Sequence, residues 1–227
     1  MHWSRIALML AFVMPLSYGR ADAQGFKFSQ PDAVDEAEKA EQQAREERIS
    51  RDLSTPCRAQ IKDKKIMVMI GERQSNGIIY AQQQNYGPHF EAINRRLRAL
   101  GLRTYTPEEI RRQIAQAEID AYFRDDVDAA LSASKRLGAS FILRGLISSQ
   151  ATRNPMIPVN QVSVNMDFTL TGSNGRPVSD AQATNASYAG ADISRMALTL
   201  VNERADEVVA KLYSDYCRSA GPAARRP

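Results

Sequence analysis

The segment VSVNMDFTLT, from Val162 to Thr171, decides the fold, because apolar and polar side chains alternate along its whole length. Side chains of an extended chain point to opposite faces at successive positions, so this pattern predicts a strand with one face in a core. The apolar run Ser140–Ile147 predicts the neighbouring strand. The turn sequence TGSNG after Leu170 predicts a hairpin into a third strand, Pro177–Ala189. A sheet therefore organises the chain.

The part of the chain before residue 140 alternates between strand and helix patterns. Ile66–Ile70 is apolar on both faces, which is typical of a central strand covered by helices. Apolar residues then recur every three or four positions over Phe90–Leu100, which predicts a helix that ends at Gly101. Leu102–Tyr105 predicts a short strand.

Helix-start signals mark the remaining helices. Thr106–Glu109 is a capping box with proline at the first helical position. The helix that it opens is predicted to carry three apolar residues inward: Ile110, Ile114 and Ala117. Val127–Leu137 predicts a further helix that stops at Gly138. Asp192 is predicted to cap a last helix, whose apolar stripe runs to Cys217.

Together these patterns predict an α/β domain over residues 64–219, with a mixed sheet of about five strands and helices packed on it. A polar segment over residues 24–63 precedes the domain, and from Gln30 to Leu53 it is rich in Glu, Gln, Ala, Lys and Arg. Its few large apolar residues cannot form a seam, so we expect a polar helical spacer in solvent or a coiled-coil arm that meets a partner. Residues 220–227 are expected to form a disordered tail.

Residues 1–23 have the pattern of a secretory signal peptide: Arg5, an apolar run over Ile6–Leu16, and the small-x-small sequence Ala21–Ala23. The apolar run is about half the roughly 20 residues that a membrane-spanning helix needs. We therefore expect cleavage near Ala23 and no transmembrane segment in the mature chain. No cysteine lies near the cleavage point, so lipid attachment of the bacterial lipoprotein type has no acceptor. The expected location is the periplasm, or the medium after secretion.

Cys57 and Cys217 are the only cysteines in the chain. In an oxidising compartment an even pair of cysteines predicts a disulfide. This bridge would fasten the lead-in of the first strand to the end of the last helix. Two free thiols are the alternative.

Composition and motifs argue against several classes of function. The net charge is only +4 at pH 7 and the basic side chains are dispersed among acidic ones, which argues against nucleic acid as a partner. His89 is the only histidine after the leader, which excludes a multi-histidine metal site, and its position at a helix start predicts a surface residue. Gly71 and Gly77 lack the GK[ST] ending of a phosphate loop. We expect no metal and no cofactor.

Two alternatives to a contact function remain open. An envelope hydrolase could use the carboxylates of Asp125, Asp126 or Glu72 as acid and base, although aspartates before a helix more commonly cap it. A peptidoglycan- or small-molecule-binding module would instead need a groove lined by aromatic side chains. The aromatic residues that could line such a groove are Tyr80, Tyr86 and Tyr105.

Two irregular connections carry apolar residues among polar ones, as protein contact sites do. The connection Arg73–Tyr86 offers Ile78, Ile79, Tyr80 and Tyr86. These residues are predicted to contact a partner, with the alternative that Ile78–Tyr80 begin the following helix and pack inward.

The connection Gln150–Gln161 offers Met156, Ile157 and Pro158 as the second set of contact residues. Pro155 and Pro158 both lack the amide donor that a strand ladder needs, so they are predicted to hold Met156 and Ile157 outside regular pairing.

The sequence KRLGASFILRGLI, residues 135–147, is a helix end in Leu-Gly-Ala followed by a strand that ends in Gly-x-Ile. With the alternating strand after it, the Thr-Gly turn and the Ala-rich last helix, it resembles a group of bacterial envelope proteins. These are the curli-secretion lipoprotein family, the amino-terminal domain of TolB, the lipoprotein activators of penicillin-binding proteins and the middle domain of flagellar assembly protein T. The similarity covers residues 64–217.

This resemblance implies an α/β domain that acts by contact, as an assembly factor, scaffold or activator, and it implies no catalytic residue. The chain differs from the lipoproteins of the group because it lacks their lipid-acceptor cysteine. The expected function is that of a non-enzymatic, soluble periplasmic accessory protein. Its partners would be envelope proteins, with self-association as a further possibility.

Overall fold

The computed structural model describes residues 33–73, 79–81, 87–124, 126–153, 156, 159–189 and 192–220. Its helices and strands, numbered along the chain, are α1 (Ala33–Leu53), α2 (Arg58–Ile61), β1 (Lys65–Arg73), β2 (Ile79–Ala81), α3 (Pro88–Ala99), β3 (Arg103–Thr104), α4 (Pro107–Gln113), α5 (Gln116–Phe123), α6 (Val127–Leu137), β4 (Phe141–Arg153), β5 (Asn160–Gly172), β6 (Pro177–Ala189) and α7 (Ile193–Ala220).

The chain divides into two compact units, residues 1–39 and residues 40–227. In the first unit the structure describes residues 33–39, which form the beginning of α1 and are exposed from Asp35 onward. The predicted leader, residues 1–23, lies outside the described residues. Among the described helices, none is both long enough and apolar enough to cross a membrane.

The sheet is mixed, as the sequence predicted, and its strands follow the order β2-β1-β4-β5-β6. β1 and β4 run parallel, while β4, β5 and β6 form an antiparallel meander. The two short strands share the other edge of β1. β3 pairs with its first residues, Lys65 and Ile66, and β2 pairs with its last residues, Gly71–Arg73. β1 is therefore the central, buried strand that its apolar sequence predicted.

One face of the sheet packs against α3 and α7 and forms the larger core. Its strand residues come from alternate positions, among them Ile70, Leu143 and Phe168, and they meet Ile93 of α3 and Leu200 of α7. This arrangement follows from the alternation in β5, because every apolar residue of Val162–Thr171 lies on this face.

The other face is covered by α4, α5 and α6 only over β1 and the beginning of β4. Met67, Met69 and Ile142 supply the strand side of this second core. The corresponding face of β5 and β6 carries exposed polar side chains, such as Asn165 and Gln182. The antiparallel half of the sheet is thus helix-covered on one side and polar on the other.

The helix predicted after Thr106 is interrupted. The capping box is confirmed, since Glu109 N donates to Thr106 Oγ1 and Glu109 accepts from Thr106 N. However, α4 ends at Gln113 because Ile114 is extended, with φ −127° and ψ 123°. Ile110 and Ile114 are buried as predicted, but Ala117 belongs to α5 and is exposed. The prediction that Ala117 points inward was wrong.

The second half of α1 lies beside α7. Arg48 Nη2 is 3.0 Å from Glu207 Oε1, and Arg204 Nη2 is 3.2 Å from Glu41 Oε1. α1 is the polar helix that the sequence predicted. Its contacts to α7 include these charged pairs, and at its end Leu53 packs against an apolar cluster that contains Tyr213 and Cys217 of α7.

The two ends of the folded region meet at a disulfide. Cys57, before α2, is bonded to Cys217 in α7, with the two Cα atoms 5.4 Å apart. Both cysteines are buried with Ile61 and Tyr213, and the Tyr213 hydroxyl donates to the Thr55 carbonyl over 2.6 Å. The predicted pairing of the cysteines is confirmed.

Candidate functional site

The antiparallel strands extend beyond the rest of the sheet. Pairing of β1 with β4 ends at Arg73 and Ser148, whereas β4 and β5 remain paired as far as Arg153 and Asn160. β6 follows to Ala189, opposite Asn160. The last few residues of these three strands therefore form an extension past β1. We call this part of the molecule, with the turn between β4 and β5 and the start of α7, the hairpin end.

The hairpin end holds the exposed large apolar side chains of the described chain. These are Met156 at 89% exposure, Tyr188 at 57% and Ile193 at 38%. Met156 lies in the turn between β4 and β5, and Tyr188 is opposite Gln161 near the end of β6. Ile193 is the first residue of α7. Exposed apolar residues scattered singly are ordinary, but these three lie at one end of the sheet, with Tyr188 on its polar face and Ile193 in the helix that covers the other face.

The hairpin end is supported from the α7 side. Val162 and Ala189 are buried on the face that α7 covers, together with Ala197. Asn185 of β6 also reaches α7, where its Nδ2 donates to Glu203 Oε2 over 2.7 Å. The strands at the hairpin end are therefore held in position by a helix.

The start of α7 is fixed by a cap. Asp192 Oδ1 accepts from Arg195 N over 2.9 Å, which is the N-cap that the sequence predicted. Arg195 and Arg153 are exposed at this end. The described surface thus combines apolar side chains with a rim of charged and polar ones, as protein interfaces do.

Met156 lies outside regular strand structure and is exposed, in agreement with its predicted environment. The connection around it is shorter than predicted, because β4 continues to Arg153 and β5 begins at Asn160. Ile157 and Pro158 lie outside the described residues. Their role in partner contact stays a prediction.

The first predicted contact segment requires a correction. Ile79–Ala81 form β2, which pairs antiparallel with Gly71–Arg73, so Ile79 and Tyr80 belong neither to an irregular loop nor to the next helix, which begins at Pro88. Ile78 and Tyr86 lie outside the described residues. A role of this segment in partner contact is untested.

Sequence reasoning missed Tyr188 and Ile193. Tyr188 follows the alternation of β6, in which Gln182, Thr184 and Ala186 are also exposed, so the strand pattern alone could have placed it outward. The apolar stripe predicted for the last helix includes Ile193 at its start, so the pattern predicts a buried residue there. Its exposure follows from its place in the first turn, before the helix reaches the core.

The structure does not bring the candidate catalytic carboxylates together. Asp126 accepts from Ala129 N over 3.1 Å and is the N-cap of α6, on the face of the sheet that Met67 and Met69 share. Glu72 pairs with His89 at the start of α3, on the opposite face. Asp125 lies outside the described residues.

His89 differs from its predicted environment. Its side chain is only 12% exposed, and its Nδ1 contacts Glu72 Oε1. This pair ties the end of β1 to the start of α3, so the surface position predicted for His89 was wrong. Among the residues described, no three side chains of His, Cys, Asp or Glu are grouped as a metal site would need.

Tyr105 is a core residue and does not line a groove. Its hydroxyl donates to the Leu137 carbonyl over 2.8 Å. Burial raises the pKa of Tyr105 to about 12, with Arg103 lowering and Glu109 raising it by smaller amounts. A structural role for this hydroxyl is therefore sufficient to explain its position.

Two concave regions of the described surface differ in size and lining. A cleft of about 180 Å³ beside α5 and α6 is lined by Tyr122, Leu131 and Arg144, and the Arg144 guanidinium lies 5.4 Å from the centre of the Tyr122 ring. This volume is below the roughly 300 Å³ at which small-molecule pockets begin. A depression of about 500 Å³ between α1 and α2 is lined by residues 53–60 and Tyr213. Tyr213 is the one aromatic residue in that lining.

No protein family model matches this chain, and no curated protein matches it. Several solved structures are similar to it. The PelC dodecamer from Paraburkholderia phytofirmans has 17% identity and a TM-score of 0.38, over 65% of this chain and 88% of that one. Lipoprotein GNA1162 from Neisseria meningitidis has 14% identity and a TM-score of 0.39, over 61% and 92%.

The LpoB C-terminal domain from Salmonella enterica is also similar, with 14% identity and a TM-score of 0.38, over 58% of this chain and 93% of that domain. A bacterial lipoprotein is thus among these structures. At these identities and TM-scores the similarity bears on no activity, partner or compartment of this chain.

Proposed function

We propose that this protein is a non-enzymatic accessory factor of the bacterial envelope, which acts by binding other envelope proteins through its hairpin end. Its location would be the periplasm, after cleavage of the leader near Ala23. The observation that carries the proposal is that the exposed residues Met156, Tyr188 and Ile193 all lie at the hairpin end, where the paired strands extend past β1.

The exposed apolar side chains at the hairpin end would gain free energy if a partner covered them. An apolar side chain that is fully buried in an interface gains about 1.5–3 kcal/mol relative to exposure. Met156 is almost wholly in solvent, so a partner that covers it recovers most of this amount. At 89% exposure, the Met156 side chain lies outside the core.

The structure offers less support for a hydrolase. Glu72 is bonded to His89 and Asp126 caps α6 on the other face of the sheet. An acid and a base for hydrolysis must reach the same substrate bond, and these two carboxylates lie on opposite sides of the strands.

The proposal is tested by capturing partners from native envelope extract with the purified mature chain and identifying them by mass spectrometry. Each captured protein is then purified and its affinity measured for the wild type and for a Met156→Ser/Ile193→Ser variant. We expect the variant to bind at least about tenfold more weakly, since two apolar contacts are lost. Tyr188 is left unchanged so that β6 is not altered.

The matched control is Arg176→Ser, which shortens another exposed side chain in the turn between β5 and β6, at the opposite end of these strands. It should bind as the wild type does. Equal affinity of the wild type and the Met156→Ser/Ile193→Ser variant for every captured protein would show that the hairpin end is not the contact surface.

A further inference from the structure

β6 is an edge strand along its whole length. β5 pairs with it on one side, and no described strand pairs with it on the other. Natural edge strands are usually protected by lysines, prolines or bulges. From Ala181 to Ala189, β6 has no charged residue and no proline. The one register shift in its pairing with β5 lies near Leu170, at the other end of the two strands. This part of β6 therefore lacks all three kinds of protection.

One hydrogen bond shows which backbone groups face the open edge. The amide N–H of Ala186 donates to the Asn185 side-chain oxygen over 3.1 Å, so it points away from β5. Residues of an antiparallel strand alternate in the direction of their N–H and C=O groups. The backbone groups of Gln182, Thr184 and Tyr188 therefore face the open edge with those of Ala186.

We propose that β6 pairs antiparallel with β6 of a second copy of this chain, about a two-fold axis at Thr184. In this register Gln182 of one copy lies opposite Ala186 of the other, and Asp180 lies opposite Tyr188. Every one of these positions has its backbone groups at the open edge, as a new hydrogen-bonded ladder requires. The contact is isologous, so each pair occurs twice.

The side chains on the exposed face of β6 are complementary in this register. The long Gln182 faces the short Ala186, and Tyr188, which is 57% exposed, faces the exposed carboxylate of Asp180. Thr169 Oγ1 of β5 donates to Asp180 Oδ1 over 2.7 Å, which restricts the motion of that carboxylate. A tyrosine hydroxyl is a suitable donor to a carboxylate.

The opposite face of β6 also permits the pairing. Its side chains are small, with Ala183 opposite Asn185 and Ala181 opposite Ser187 in the proposed register. α7 covers this face. Asp180 is the only charged residue of β6 and does not face itself, so no like charges oppose each other.

The charge and size pairing favours a second copy over a foreign strand, because both halves of each complementary pair are present on β6 itself. This inference goes beyond the contact of the hairpin end with envelope proteins. Oligomeric state and partner affinity are measured separately. The pairing of β6 with a second copy and the contact of the hairpin end with envelope proteins can therefore be disproved independently.

The test is the mass of the mature chain by light scattering after size exclusion, over about 1 to 100 µM, where a weak dimer would assemble. We expect a concentration-dependent, twofold rise in mass. Ala186→Pro removes an amide that faces the open edge, which edge strands tolerate, and should leave a monomer. Ala186→Val keeps the amide and should still form the dimer.

A second variant keeps the test decisive if Ala186→Pro does not fold. Thr184→Cys places identical thiols next to the two-fold axis, and a short bifunctional thiol reagent should join two chains. Arg176→Cys, at an exposed position in the turn away from the axis, should not be joined. A wild-type chain that stays monomeric throughout the concentration range would overturn the proposal. So would a dimer that survives Ala186→Pro while Thr184→Cys remains uncrosslinked. A monomer that loses an envelope partner on Ala186→Pro would assign the edge to a foreign strand instead.

Discussion

Gly145 lies directly opposite Phe168 in the β4–β5 ladder, and the phenyl ring occupies the space that a Cβ atom on Gly145 would need. The row continues with Ile70 on one side and Ala181 on the other, so large and small residues alternate across four strands. The glycine is therefore a packing residue, since its φ angle lies outside the left-handed region.

Gly145→Ala is expected to destabilise the protein by about 1–3 kcal/mol, because a methyl group at this position meets both Phe168 and Ile70 at distances that real Cβ atoms do not show. Denaturant unfolding measures this change. The double variant Gly145→Ala/Phe168→Leu should lose less stability than the sum of its single variants. Additive effects would show that the ring is not what excludes the methyl group.

Removal of the disulfide should reduce stability strongly. In the chain-entropy model a bridge across so long a segment contributes about 4–5 kcal/mol, and Cys57 and Cys217 are 160 positions apart in the sequence. Cys57→Ser/Cys217→Ser should show this loss in denaturant unfolding, as should the reduced wild type. The unfolded, unreduced wild type should contain no free thiol, and two free thiols would contradict the bridge.

Protonation of the Asp215 carboxylate should make the protein less stable in acid. Burial alone raises the pKa of Asp215, but hydrogen bonds from Lys211 and Ser179, with Arg218 nearby, lower that pKa overall. A group with a depressed folded pKa contributes stability above its unfolded pKa, near 4, and this contribution is lost as the pH falls through the folded pKa.

Asp215→Asn should therefore flatten the fall in stability below about pH 4, and at neutral pH it should cost about 1–3 kcal/mol through the lost bonds to Lys211 and Ser179. Ser179→Ala removes one of these bonds and should produce a smaller change in the same direction. The measurement is urea unfolding at several pH values. An unchanged acid profile in Asp215→Asn would contradict this assignment.

Tyr105 should ionise late in an alkaline titration. Its folded pKa of about 12 is above the value near 10 of an unfolded tyrosine. The stability from its neutral form is thus complete below about pH 10 and is lost as the pH rises toward 12. Absorbance at the tyrosinate band should show a late component that is smaller in Tyr105→Phe, where Tyr216 remains, since burial also raises the pKa of Tyr216. The same variant should be about 1 kcal/mol less stable, since its bond to the Leu137 carbonyl is lost. Ionisation of all tyrosines together near pH 10, in the folded protein, would contradict the prediction.

Local sequence chemistry was enough to predict most of the sheet and its caps. The alternation from Val162 to Thr171 specifies a strand without any distant residue. Likewise, Gly101 and Gly138 adopt the positive φ angles of 100° and 65° that end α3 and α6. These features depend on neighbours within a few positions, so a single sequence contains them.

Features that arise from distant contacts were not predictable in this way. β2 has three residues and is a strand only because Gly71–Arg73 pairs with it. The contact of His89 with Glu72 depends on how α3 packs on β1. The grouping of Met156, Tyr188 and Ile193 depends on the register of β4, β5 and β6, which places three separate segments at one end.

The bridge between Cys57 and Cys217 closes most of the chain into a covalent ring. A protease that cuts once in the turn between β4 and β5 opens that ring but does not release a fragment. The nicked molecule should run as one band on a gel without reductant and as two bands with it. The strands on both sides of the cut remain paired with β1 and β6. New chain termini can therefore be introduced at the hairpin end. A circularly permuted gene that begins there would test whether the order of strands along the chain matters for reaching this fold.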